Sequence, residues 1–120
     1  MTSLTDLHAY LARVILLYTI ALAAWSFVAA WQRRPASPSF RGALWIAAGV
    51  IATQDMFGAL LYTSGDRPPD MLHLVYGPVA FLAIPTLISV VGVGRRRESL
   101  WFGLGMLFVF GLSIRALMTG

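Results

Sequence analysis

Apolar residues run along this chain in four long stretches separated by short polar breaks rich in arginine, proline or glycine. The stretches cover 7–31, 43–63, 71–94 and 100–118. Each is close to the ~20 helical residues that cross the hydrocarbon of a bilayer. The first break, 32–42, holds Arg33, Arg34, Pro35, Pro38 and Arg41. The second, 64–70, reads Ser-Gly-Asp-Arg-Pro-Pro-Asp, with Asp70 placed to cap the third helix. The third is Arg95-Arg96-Arg97-Glu98, with Glu98 or Ser99 opening the fourth helix. Breaks this short join antiparallel neighbours, so the pattern predicts an all-α, up-down bundle of four transmembrane helices forming one integral membrane domain over 1–120.

Composition agrees with that solvent. Hydrophobic residues make up 58% of the chain and charged ones 12%, too few for the polar exterior of a small soluble domain. Cysteine is absent, which excludes disulfides, thiolate metal sites and the membrane oxidoreductases that work through cysteine pairs. The net charge of +4 comes from nine arginines and no lysine. They cluster in the breaks, so they read as a topology signal and exclude nucleic acid as the partner. Arg33, Arg34, Arg41, Arg95, Arg96 and Arg97 mark the first and third breaks, against Arg67 in the second. The positive-inside bias then puts both termini on the outer side of a bacterial inner (cell) membrane. The first stretch lacks a basic start, carries Asp6 and is long, so it is expected to be retained and not cleaved as a signal. Trp31, Trp45 and Trp101 fall at the inner boundary, and Tyr10 and Tyr62 at the outer one, as interfacial anchors.

Ionisable residues inside a membrane are costly and mark candidate sites. Here they are His8, Arg13, Asp55, His73 and Arg115, and the topology places all five in the outer half with Gln54, Tyr62 and Tyr76. Ala48, Ala52, Asp55, Ala59 and Tyr62 share one face of the second helix, beside Ala47, Ile51, Gln54, Gly58 and Leu61. Gly103, Leu107, Gly111 and Arg115 share a face of the fourth. Small residues let membrane helices approach, so both stripes are expected to face the interior and to bring Asp55 and Arg115 together as a structural ion pair. His73, Tyr76, Gly77, Ala80, Ile84 and Leu87 line one face of the third helix, and Pro78 and Pro85 are expected to bend it. His73, Tyr76, Gln54 and Asp55 would then line a cavity between helices two and three. His8 and His73 stand on different helices at similar depth, the arrangement that a bis-histidine haem b requires. No phosphate loop, catalytic triad or His/Asp metal spacing is present, which argues against an enzyme.

Gln54-x-x-x-Gly58 followed by Leu72-His73-Leu74-Val75-Tyr76-Gly77 resembles one half of the haem A synthase family, over 51–80. Those proteins consist of two four-helix halves related by pseudosymmetry, with histidines ligating haem. The resemblance implies that His73 is a haem-iron ligand and that Gln54 and Gly58 form a packing surface for a helix or cofactor. The family's further histidine deep in another helix has no match here, because His8 lies near the terminus. The tail Arg115-Ala116-x-x-Thr119-Gly120 is also similar to that of small bacterial four-helix membrane proteins with no assigned function.

Three functions are open at this level. The chain could be an accessory subunit of a larger respiratory or photosynthetic electron-transport complex, assembling with other membrane subunits or with itself. It could be a haem- or quinone-binding bundle using His73, Tyr76, Gln54 and His8. It could be a four-helix transporter using Asp55, against which the strong arginine bias stands.

Overall fold

The computed structural model describes residues 3–65, 67–92 and 97–120 and contains four α-helices: α1 (Leu4–Trp31), α2 (Pro38–Thr63), α3 (His73–Val91) and α4 (Glu98–Thr119). Each is long and apolar enough to cross a membrane. Polar caps start α1 and α2 ahead of their apolar runs, whereas α3 begins two residues later than its run and, like α4, has no side-chain cap. Ser3 and Asp6 form a reciprocal capping box that begins α1 three residues earlier than the apolar run. Ser37 accepts a hydrogen bond from the Phe40 N–H, and Pro38 sits at the first turn of α2, where its missing donor costs nothing. Asp70 lies two residues before the N-cap of α3. Its carboxylate accepts from the Leu72 N–H at 2.9 Å. Gly92 then ends α3 at φ 67°, a conformation that glycine adopts without strain.

The helices pack in a ring in chain order, α1 against α2, α2 against α3, α3 against α4 and α4 against α1. The diagonal pairs, α1 with α3 and α2 with α4, do not approach within 8 Å between Cα atoms. Leu44, Ile84, Phe102, Met106 and Val109 form the dry centre. Outward-facing residues such as Leu17, Ile46, Leu82 and Phe108 are more than half exposed and apolar, as lipid-facing positions should be.

In lipid, apolar burial drives helix association weakly, so polar ties and close packing matter more. They concentrate at the arginine-rich end. The Ser26 hydroxyl donates to the Ser99 carbonyl, and the Ser99 hydroxyl donates to the Arg34 carbonyl at 2.6 Å. Arg41 Nη2 donates to Glu98 Oε2 and to the Gly92 carbonyl, both at 2.8 Å, while Glu98 Oε1 accepts from the Ala36 N–H. Arg41 is therefore a helix-joining residue as well as part of the charge bias. Arg95 and Arg96 lie outside the described residues.

The expected Asp55–Arg115 pair does not form: among the described residues the ion pair is Arg41–Glu98, which joins the same two helices, α2 and α4, at the opposite end. Arg115 is exposed, with its guanidinium 6.0 Å from the Tyr76 ring centre. The expected interior stripe of α4 holds only in part: Gly103 is buried against the Phe27 ring, but Leu107 and Arg115 are exposed, and the helix also buries Phe102, Met106 and Val109. On α2 the buried face is Leu44, Ala47, Ala48 and Ile51, which continues through Gln54 and Gly58. The α3 face keeps Ala80 and Ile84 in the core.

Candidate functional site

At the end opposite the arginine cluster, the start of α1, the end of α2, the start of α3 and the end of α4 converge on two imidazoles. The His8 and His73 ring centres are 6.0 Å apart, with the planes at 78°. The two residues come from diagonal helices, so they span the bundle axis where no backbone-to-backbone packing occurs.

His73 is held from α4. Its Nδ1 lies 2.7 Å from the Ala116 carbonyl oxygen. A carbonyl only accepts, so Nδ1 carries the proton in this contact and the neutral ring keeps its lone pair on Nε2. Thr119 Oγ1 lies 3.5 Å from the same Nδ1. A Cβ placed on Gly120 would run into the His73 ring, so the backbone there packs directly on the imidazole. The Asp70 N–H donates weakly to the Thr119 carbonyl at 3.4 Å and ties the loop before α3 to the same tail. The Arg-Ala-x-x-Thr-Gly tail is thus the docking surface of His73. Its sequence signal was visible, but the acceptor is a main-chain carbonyl, which no residue type announces.

His8 is held from α2. Gln54 Nε2 donates to the His8 carbonyl at 2.8 Å. A Cβ on Gly58 would stand 3.3 Å from His8 Cε1, so the glycine leaves the ring its place. His8 Nδ1 and Gln54 Oε1 are both buried without a hydrogen-bond partner. Gln54 is nonetheless the polar neighbour of His8, so neither atom by itself calls for a bound group.

Asp55 fills the notch at Gly77: a Cβ there would lie 2.5 Å from Asp55 Oδ1. The expected opening between α2 and α3 is therefore occupied by the carboxylate. A cavity of about 750 Å³ is found instead at the arginine-rich end. Of the residues assigned to the site from sequence, His8, His73 and Gln54 come together, and Asp55 adjoins them through Gly77 and α3. Tyr76 faces Arg115.

The donor set suits one kind of metal group. Among the described residues no cluster of three or more His, Cys, Asp or Glu could hold a metal ion. Two histidines alone suit a metal that brings its own equatorial ligands, as iron in a porphyrin does. No family model, curated protein or solved structure matches the chain.

Proposed function

We propose that this chain is a small integral membrane subunit of an electron-transfer assembly, holding haem between His8 and His73. The observation that carries this reading is the pair of imidazoles meeting across the bundle axis, with His73 Nδ1 committed to Ala116 and Nε2 left free. A hydrogen bond from the other ring nitrogen to a carbonyl is how metal-ligating histidines are oriented. Ala116 and Gly120 would fix the His73 ring, Gln54 would hold the His8 backbone, and Gly58 would give the His8 ring its place. Haem bound in this way carries single electrons. The resemblance to one half of haem A synthase supports the same assignment of His73. Both termini, and hence the haem, would face the outer side of a bacterial cell membrane.

The absorption spectrum of the purified protein tests the proposal. Soret and reduced visible bands that are lost in His73→Ala and in His8→Ala are expected. A colourless wild-type protein that extracts with bound quinone would move the site to quinone.

A role as a plain accessory subunit is favoured by a separate observation. Gly42 and Gly49, two turns apart on α2, are exposed and have open space around them, a surface on which a partner helix packs closely. Isolation only in complex with other membrane chains, without colour, would support that role alone.

A further inference from the structure

The cavity of about 750 Å³ at the other end lies between the close of α1 and the opening of α4. One part of its wall is apolar: Phe27, Trp31 and Leu100. Another is cationic: Arg33, Arg34 and Arg97. The carboxylate in the same wall, Glu98, is engaged by Arg41 and by the Ala36 N–H. The charge facing the cavity is therefore positive.

Among the described residues, two non-glycine positions have positive φ, Arg33 at 58° and Arg97 at 60°, and both line this cavity. Arg33 follows the C-cap of α1, and Arg97 is the N-cap of α4. Glycine would adopt these conformations without steric cost. Helix termination alone does not call for arginine at either place, and strained residues of this kind gather where a ligand is bound. The cavity opens at the helix ends, with the exposed Trp31 in its wall and the exposed Trp101 in the first turn of α4, side chains that favour the headgroup layer.

We propose that this cavity binds the phosphate of an anionic membrane lipid, with Arg33, Arg34 and Arg97 on the phosphate and Phe27, Trp31 and Leu100 along the first part of the acyl chains. Guanidinium groups match phosphate oxygens in pairs, and basic pockets between membrane helices recognise anionic headgroups in this way. The inference is independent of the histidine site.

The test uses the full chain, stripped of lipid in detergent and offered phosphatidylglycerol and phosphatidylcholine in equal amounts. Retained lipid is read by native mass spectrometry. The variant is Arg33→Gly with Arg97→Gly, which removes two cations while fitting the backbone at both positions. Arg67→Gln, at the opposite end, is the control. Preferential phosphatidylglycerol retention by the wild type and the control is expected, with about tenfold less in the double variant. The variant's melting temperature should be unchanged or higher. Excess inorganic phosphate distinguishes the sources. If it leaves the lipid in place, the site is a lipid site; if it displaces the lipid from the wild type alone, the site takes free phosphate as well. Equal retention by wild type and double variant would overturn the proposal, as would equal retention of the two lipids. If the double variant melts early, Arg34→Gln replaces it, and unchanged phosphatidylglycerol retention there would overturn the proposal too.

Discussion

His73 and Asp55 show how far single residues could be read. Both stood out as costly groups within apolar runs, and that judgement needed only hydropathy. Their partners did not. His73 is oriented by a main-chain carbonyl, and Asp55 rests on the bare backbone of Gly77. Neither a carbonyl nor a missing Cβ has a side-chain signal, so the sequence pointed Asp55 toward Arg115, the obvious opposite charge. The Gly77 contact leads to a prediction. Gly77→Ala should destabilise the bundle by about 1–3 kcal/mol, because its Cβ would overlap Asp55 Oδ1. In an Asp55→Ala background the same change should be close to neutral. Denaturant titration of the four proteins in detergent measures the coupling, and additive losses would show that the two residues do not meet.

At the scale of the element, hydropathy located all four helices, and Ser3 and Ser37, which cap α1 and α2, set the true starts of those two. The interior face of α3 followed from its period of small and branched residues. That of α4 did not, because the glycine stripe and the aromatic stripe are both plausible interior faces until the neighbours are known. In a ring, each helix touches two others and is separated from the third, and chain order alone left open which residues could reach across. The two diagonals turn out to be bridged at opposite ends: α1 to α3 by His8 and His73, α2 to α4 by Arg41 and Glu98. Phe40 and Phe102, with ring centres 5.7 Å apart, reinforce the second bridge. Glu98 is 4% exposed, so Arg41→Met should cost roughly 1–3 kcal/mol by removing a 2.8 Å ion pair and hydrogen bond from a buried carboxylate. Adding Glu98→Gln should recover part of that loss in the same unfolding assay. Equal stability of wild type and Arg41→Met would remove the ion pair from the account of how α2 and α4 hold together.

As a whole the molecule is a rod of 48 × 27 × 19 Å, long enough to pass through the hydrocarbon and into both headgroup layers. Its ends are chemically different, one cationic and one carrying the paired histidines. That polarity was legible in the sequence, because an up-down path sorts alternate helix ends to opposite sides. The meeting of His8 with His73 was legible only as a matched depth. The arginine bias predicts that the arginine-rich end lies inside the cell, so Ser39→Cys should resist an impermeant thiol reagent on intact cells, and Ser64→Cys should react. The reverse pattern would invert the orientation. The central claim is that both imidazoles hold one iron. Electron paramagnetic resonance of the oxidised protein tests it most directly. A low-spin ferric signal is expected in the wild type, becoming high-spin or disappearing in His8→Ala and, separately, in His73→Ala. A low-spin signal unchanged by either substitution, or no ferric haem signal in the wild type, would contradict it.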